Sequence, residues 1–119
     1  MTAERLPQSS RLARAAEIRA LMTQGKRRRT DHLDLFTRPS PVACSRLAVI
    51  VPRHGQTAVK RNLLRRRLRE LGRREVLPVL AEALDIAVRP KPAAYTASFE
   101  TLRREFVGSL CPPSPGSAS

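Results

Sequence analysis

Residues 46–75 read RLAVIVPRHGQTAVKRNLLRRRLRELGRRE, which is an apolar run, a short loop and then a strongly basic segment. Residues 46–51 are rich in Val, Ile and Leu and end at a proline, so they are predicted to form a central strand. From residue 58 to about residue 74 the leucines recur at three- and four-residue spacing, which predicts a helix. One narrow arc of that helix is expected to face a sheet, and it holds Leu64, Leu68 and Leu71.

The other faces of this helix are crowded with cations, and Glu70 is the only acid between residues 60 and 74. Arg61, Arg65 and Arg69 repeat at every fourth residue, a spacing at which like charges repel and weaken an isolated helix. A solvated helix face, the usual role of charged residues, does not call for so few acids. The pattern therefore favours a surface that binds a partner carrying phosphates.

The composition of the whole chain indicates the same kind of partner. The 119 residues include 23 Lys and Arg against 10 Asp and Glu, a formal charge of +13. Solubility in a small domain needs a net charge of only about 2–8. Most of the cations are arginines, whose planar fork suits phosphates and stacks on bases. Nucleic acid is the first class of partner to consider, and an anionic membrane surface is the second.

The sequence has few features of membrane or secreted proteins. Its longest uninterrupted apolar run covers residues 47–51, far short of the roughly 18 residues that cross a bilayer. The first residues lack the apolar stretch of a signal peptide. Cys44 and Cys111 are far apart and neither belongs to a Cys-x-x-Cys pair, which favours separate thiols over a disulfide or a zinc site. We therefore expect a cytoplasmic protein without a membrane partner.

The sequence before the apolar run predicts one helix and one strand. A pair of serines before residue 11 can cap a helix that ends at Gly25. Residues 26–29 are a short basic run without an assigned element. Residues 32–37 alternate as a half-exposed strand, which we expect to pair with residues 46–51 as a hairpin.

The sequence after the basic helix predicts a short strand at residues 85–88 and a last helix capped by Ser98. The order α-β-β-α-β-α makes the class α+β, with a small mixed sheet packed with about three helices. One domain is expected over residues 10–110, between a flexible N-terminus at residues 1–9 and a disordered tail at residues 111–119.

The chain shows no catalytic centre of its own in its sequence. Its two histidines, His32 and His54, are isolated, and no His/Cys cluster has metal-ligand spacing. Acids are scarce, whereas a metal-dependent nuclease needs convergent carboxylates. A helix-turn-helix that reads DNA is also disfavoured, because residues 52–57 follow a predicted strand and not a first helix.

The basic helix resembles a known family, the protein subunit of bacterial ribonuclease P. That family carries a motif of roughly Ala-Val-x-Arg-Asn-Arg, then Lys/Arg-Arg and Arg-Glu, and residues 58–70 read AVKRNLLRRRLRE in the same register. Leu63 stands where the motif has its second Arg. Weaker likenesses are RL at residues 11–12, GKR at 25–27, SRLAV at 45–49, Arg53 after the strand and DIAV at 85–88.

The resemblance implies a role in a ribonucleoprotein that cuts the 5′ leader from precursor tRNA. The RNA subunit would hold the Mg²⁺ ions and carry out the hydrolysis, so no cofactor is expected on this chain. Its partners would be ribonuclease P RNA and precursor tRNA, and no protein partner is predicted. The residues implied to contact the RNA subunit are Arg53, Lys60, Arg61, Asn62, Arg65, Arg66 and Arg69. A cleft between the sheet and the first helix would bind the single-stranded leader and involve Ile18, Met22, Leu33, Phe36 and Arg46.

In that cleft the sequence departs from the family, which often places aromatic residues on the first helix and the first strand. Ile18, Met22 and Leu33 stand at those positions, and Phe36 alone is aromatic. The three aliphatic residues are as compatible with a hydrophobic core as with the cleft. Because stacking contributes about 1–3 kcal/mol per base, we expect leader binding here to depend more on charge. A general RNA-binding protein of ribosomal type is the alternative function.

Overall fold

Four strands form one mixed sheet in the computed structural model, which describes residues 11–42 and 44–110. The strands are β1 (Lys26–Arg29), β2 (Leu33–Pro39), β3 (Arg46–Val49) and β4 (Leu84–Pro90). Their order in the sheet is β1-β2-β4-β3, with β2 antiparallel to both neighbours and β3 parallel to β4. The predicted α+β class with a small mixed sheet is confirmed. The N-terminus and tail predicted to be flexible, residues 1–9 and 111–119, lie outside the described residues, as do the two serines.

The predicted hairpin between β2 and β3 is wrong, because β4 lies between these two strands. Strand β2 forms its hairpin with β1, where Arg27 lies opposite Phe36 and Arg29 opposite Asp34. Strand β1 carries no periodic sequence signal, because all four of its residues are exposed and none is apolar. Charged side chains suit such an edge strand, since they discourage pairing with another chain.

Strand β3 lies at the other edge of the sheet and not at its centre as predicted. Helix α2 (Ala58–Leu71) connects β3 to β4, because parallel neighbours need a crossover connection. The segment before the first helix lies along the outer side of β3, where the N–H of Leu12 donates to the carbonyl of Leu47 at 2.9 Å.

Helices cover both faces of the sheet, so β2 is buried on both sides along residues 33–36 and is not the half-exposed strand predicted. On the face that we call the α1 face, helix α1 (Ala15–Gln24) packs against Phe36, Ala48 and Ala87. Helix α2 and helix α3 (Phe99–Leu110) pack on the opposite face. The main core lies there and includes Leu33, Leu35, Leu47, Leu64, Leu68, Leu71, Ile86, Val88, Leu102 and Phe106. The predicted inward arc of the basic helix is therefore confirmed.

Helix α1 begins later than predicted, because residues 11–14 are not helical and Arg11 bridges to Leu47 of β3. It ends at Gly25, where the chain turns directly into β1. A Cβ atom on Gly25 would lie 2.6 Å from the carbonyl oxygen of Leu21 and 2.7 Å from that of Thr37. Only glycine leaves room for this turn, since both neighbours are backbone atoms.

The chain after helix α2 stays helical in two short turns, a π turn at Gly72–Val76 and a 3-10 turn at Leu77–Val79. These turns follow directly on helix α2 and lead towards β4. Helix α3 is confirmed, and the Ser98 hydroxyl accepts the N–H of Thr101 at 3.1 Å as a cap. The observed order, α-β-β-β-α-β-α, contains one more strand than predicted.

Candidate RNA interface

Helix α2 exposes cations to solvent, while an N-terminal cap and buried leucines hold its backbone in place. The hydroxyl of Thr57 caps the helix by accepting the N–H of Lys60 at 3.2 Å. Leu64 and Leu68 anchor its buried side and are 4% and 0% exposed. The predicted residues are exposed or half-buried on the remaining sides: Lys60, Arg61, Asn62, Arg65, Arg66 and Arg69. Packing of the leucines therefore fixes the direction in which these cations point.

Carboxylates form ion pairs with the arginines just after the end of helix α2 but not with those at its beginning. Glu70 contacts Arg73 at 2.9 Å and Arg74 at 3.9 Å, and Arg103 of helix α3 contacts Glu75 at 2.7 Å. Within residues 11–42 and 44–110, no carboxylate forms an ion pair with a cation between positions 53 and 69. The first turns of the helix thus keep their charge available for an external anion.

Two other cations, Arg11 and Arg65, lie near Arg69. Burial lowers the pKa of its guanidinium, and the nearby charges of Arg11 and Arg65 lower that pKa further. Arg11 reaches helix α2 from the extended segment that bridges β3 at Leu47. Because these cations repel one another, a phosphate bound among them would be stabilised.

The loop before helix α2 adds the exposed Arg53 to this surface. His54 and Gly55 have φ angles of +48° and +72°, so the chain turns through the left-handed region there. The Tyr95 ring meets the His54 ring edge-on with centroids 6.5 Å apart. The Tyr95 hydroxyl also donates to the carbonyl of Pro52 at 3.4 Å. These contacts hold the loop against the rest of the domain.

The α1 face brings together four of the five residues predicted for a leader cleft. Ile18 and Met22 are half-buried beside Phe36, and Arg46 lies on the same side of the sheet. Leu33 is wrong as a cleft residue, because it is 0% exposed and packs in the core on the opposite face. Successive side chains of a strand point to opposite faces, so Leu33 and Phe36 cannot share one.

Arg46 is held within the α1 face by two carboxylates. Its Nε and Nη2 atoms donate to Asp85 at 2.9 Å each, and its Nη1 atom donates to Glu17 at 3.4 Å. The hydrogen bonds to Asp85 raise the pKa of Arg46 and outweigh the opposing effect of burial. Asp85 is 0% exposed and also accepts from Arg38. Most donors of Arg46 are therefore engaged with carboxylates of β4 and helix α1.

A shallow pocket of about 240 Å³ opens beside Arg46, lined by Arg11, Ala13, Arg14 and Glu17. Arg11 also neighbours Arg69, so the basic surface of helix α2 continues to this edge of the α1 face.

Arginines cover Phe36, the one aromatic residue predicted for the cleft. Phe36 is 3% exposed, and the guanidinium carbons of Arg27 and Arg89 lie 5.4 and 5.6 Å from its ring centroid, within cation–π range. Asp34 contacts Arg27, Arg29 and Arg89 at 3.3, 3.5 and 3.4 Å. The Phe36 ring is therefore not accessible to a base in this structure.

The histidines lie apart in the fold. The His32 ring contacts Glu105, and the His54 ring contacts Tyr95. No group of three or more His, Cys, Asp or Glu is arranged to hold a metal ion in the part of the chain that the structure describes. Within the same residues, no helix is both long and apolar enough to cross a membrane.

Known proteins match this chain along most of its length. The model of the family described as Ribonuclease P matches residues 6–111. The ribonuclease P protein component of Kocuria rhizophila is 33% identical over 101 residues, which cover 85% of this chain and 88% of that protein. The corresponding protein of Acidothermus cellulolyticus is 35% identical over 109 residues and is covered to 85%, as is this chain. This chain belongs to the ribonuclease P protein family.

Solved ribonuclease P proteins share its fold. The protein from Thermotoga maritima matches with a TM-score of 0.75 and 27% identity, over 84% of this chain and 94% of that one. The protein from Staphylococcus aureus matches with a TM-score of 0.71 at 20% identity, over 85% of this chain and 94% of that one. The second comparison concerns the fold alone.

Sequence reasoning missed four arginines of this ribonuclease P protein. Arg27, Arg29 and Arg89 surround Asp34, and Arg11 lies beside Arg69. The basic run at residues 26–29 was visible in the sequence, and alternation within a strand would have put its second and fourth residues on one face. Nothing local to Arg11 or Arg89 indicated their neighbours, which come from distant parts of the chain.

Proposed function

We propose that this ribonuclease P protein assists a catalytic RNA in the endonucleolytic removal of the 5′ leader from precursor tRNA. The observation that carries the proposal is the cationic face of helix α2, whose first turns form no ion pair with a carboxylate among the described residues. The chain belongs to the ribonuclease P protein family, in which such a face has an RNA subunit as its natural partner. Removing a phosphate from water costs free energy, and unpaired arginines at fixed positions offset that cost.

The RNA subunit is the proposed partner of helix α2 and the loop before it. The contacts would come from Arg53, Lys60, Arg61, Asn62, Arg65, Arg66 and Arg69. Arg65 donates to the side-chain oxygen of Asn62, so the amide orients one guanidinium of this face. Such phosphate contacts fix position and register and read little sequence. Leu63, which is 42% exposed, lies where the family motif has Arg, and Arg66 and Arg67 supply exposed charge nearby.

The α1 face is the proposed contact for precursor tRNA. Ile18 and Met22 offer a half-buried apolar edge there, and Phe36 lies beneath arginines. Arg46 would act indirectly, because Asp85 and Glu17 already engage it.

The chemistry is proposed to take place on the RNA subunit and its Mg²⁺ ions. The best-buried carboxylates among the described residues, Asp34 and Asp85, contact arginines, and Glu105 contacts His32 and Thr30. Carboxylates engaged in this way are poorly suited to share a metal ion. The cytoplasm is the proposed location, since precursor tRNA is met there in bacteria such as those of the named relatives.

The test is leader release from precursor tRNA by a bacterial ribonuclease P RNA at low magnesium, with and without this protein. Strong stimulation only when both are present is the expected result. Tight RNA binding without stimulation would instead support the alternative, a general RNA-binding protein unrelated to tRNA processing. An unrelated basic protein of similar charge is the control for nonspecific screening of the RNA.

A further inference from the structure

Helix α2 carries two exposed apolar side chains on one side, Val59 and Leu63, which we call the apolar ridge. Val59 is 76% exposed and Leu63 is 42% exposed. They are four residues apart, so they are neighbours on the helix surface. At about 100° per residue, both lie about 100° or more from Leu64 and Leu68, which pack on the sheet. The core of this protein therefore cannot bury the ridge, and only a partner can do so.

The apolar ridge lies among cations. Lys60, Arg66 and Arg67 are exposed on its two sides, and none of them forms an ion pair with a carboxylate among the described residues. Intrinsic helix propensity does not account for Val59, since valine is a weaker helix former than the arginines around it. A requirement for charge does not account for either apolar residue. We therefore looked for a partner that contacts aliphatic and cationic side chains together.

Such a partner must combine negative charge with an apolar surface. Phosphates can pair with the three flanking cations, but they offer no apolar contact to the ridge. In a base-paired RNA helix the base faces are stacked on one another, and the grooves present hydroxyls, base edges and phosphates. An unpaired nucleotide has both features, because the face of its base is free and a phosphate lies on either side of it. The surface thus fits an RNA loop or bulge better than an RNA duplex.

We propose that the apolar ridge binds the face of an unpaired nucleobase of the RNA subunit, while Lys60, Arg66 and Arg67 pair with the neighbouring phosphates. The inference rests on the proposed function, which identifies the RNA subunit as the partner of helix α2. Leu63 then makes a contact of a different kind from that of the Arg in the family motif. Binding gains a component that salt does not screen, and it selects RNA subunits with an unpaired base at this point.

The decisive variant replaces Val59 and Leu63 together by Ala, which keeps the net charge and favours the helix. The measurement is the affinity of the protein for its own ribonuclease P RNA at several chloride concentrations. The slope of log affinity against log salt reports the phosphate contacts. The affinity extrapolated to about 1 M salt, where the Debye length is about 3 Å, reports the contacts that remain.

We expect the double Ala variant to keep the slope and to lose affinity by about ten-fold at every salt concentration. This loss corresponds to burial of about two of the five carbon atoms that the variant removes. Leu63→Met, which keeps the apolar volume, should retain the wild-type affinity. A loss for Leu63→Met as large as that for the double Ala variant would overturn the apolar contact.

The matched control replaces Val42 and Val79 together by Ala. These valines are 44% and 57% exposed and lie outside helix α2, so their replacement should change neither the slope nor the affinity. An equal loss of affinity in the control would overturn the assignment to the apolar ridge.

The outcomes separate this inference from the proposed function. A wild-type protein that does not stimulate leader release by the RNA would contradict the proposed function. A wild type that stimulates, together with a double Ala variant that keeps the full affinity at about 1 M salt, would overturn the apolar ridge alone.

Photoleucine incorporated at position 63 gives an independent test in a protein that keeps the shape of the leucine. Crosslinks to an unpaired nucleotide of the RNA subunit are expected. Crosslinks confined to base-paired segments of the RNA, or to another protein chain, would overturn the inference.

Discussion

Asp34 and Asp85 are buried carboxylates on neighbouring strands, and each is surrounded by arginines. Asp85 accepts from Arg38 and Arg46, which flank it on β2 and β3. A buried carboxylate without such partners would cost several kcal/mol. The chain has only 10 acids against 23 cations. Two of these acids, Asp34 and Asp85, form ion pairs that join strands from distant parts of the chain.

Asp85→Asn is predicted to lower the free energy of unfolding by about 3 kcal/mol, because it leaves buried cations without their carboxylate. The cost stays at the lower end of the range, since Arg38 and Arg46 remain 23% and 13% exposed. Urea unfolding at pH 7 measures it. Glu82→Gln, an exposed change just before β4, is the control and should stay within about 0.5 kcal/mol. Equal urea midpoints for the two variants would show that the ion pairs of Asp85 do not stabilise the pairing of these strands.

At the scale of elements, one carboxylate of helix α3 fastens the turn between β1 and β2. Glu105 accepts from the Thr30 hydroxyl and the backbone N–H of His32, and it contacts the His32 ring. Burial opposes ionisation of Glu105, but the hydrogen bonds from Thr30 and His32 outweigh it and lower the pKa of the carboxyl below 4.5. The basic edge strand is thereby tied to the helix that covers the core.

Glu105→Gln is predicted to destabilise the protein by about 1.5 kcal/mol at pH 7, the value typical of hydrogen bonds to a charged group. Because the pKa of Glu105 is lower in the folded state, its contribution is complete above about pH 4.5 and is lost as the pH falls through the folded-state pKa. The difference between variant and wild type should therefore shrink between pH 7 and pH 3 in urea unfolding. Glu100→Gln, on the same helix and paired only with Arg103 among the described residues, is the control. A difference that stays constant over this pH range would refute the linkage.

Helix α2 carries the prediction for RNA binding. Replacing Arg65 and Arg69 by Ala should weaken binding of the RNA subunit and reduce the slope of log affinity against log salt by roughly 1.4–1.8, since each phosphate contact contributes about 0.7–0.9. Titrations at several chloride concentrations measure the slope. Arg103→Ala is the matched control, because Glu75 and Glu100 already pair with that guanidinium. A slope that is unchanged in the double variant would remove helix α2 from the interface.

At the scale of the whole molecule, the dimensions of the folded protein determine how strongly its positive charges repel one another. The molecule measures 39 × 37 × 32 Å, and the Debye length is about 30 Å at 0.01 M salt but about 8 Å at 0.15 M. At low salt the excess cations therefore interact over nearly the full width of the protein, and at physiological salt they do not.

The isolated protein is accordingly predicted to be more stable in salt. Its thermal midpoint should rise when sodium chloride increases from about 0.01 M to 0.15 M, because screening relieves repulsion in the compact state more than in the expanded one. Calorimetry in chloride, which avoids the phosphate-like sulfate ion, measures the shift. A midpoint that falls with salt would mean that the internal ion pairs around Asp34 and Asp85 outweigh the general repulsion.

By itself, the sequence determined the α+β class, the inward arc of Leu64, Leu68 and Leu71, the last helix and the likeness to ribonuclease P proteins. These features depend on the periodicity and chemistry of residues close together along the chain. A helix buries one face wherever its leucines recur at the right spacing, whatever lies opposite.

Only the tertiary structure decided the order of the strands and the ion-pair partners of each charged side chain. The insertion of β4 between β2 and β3 placed Leu33 in the core, engaged Arg46 with Asp85, and brought Arg89 to Asp34 on β2. Strand pairing joins segments that are far apart along the chain, and no local pattern specifies which strand a given strand will meet. The physical reason is that partners in a sheet are selected by burial of both faces at once, which is a property of the whole assembled core.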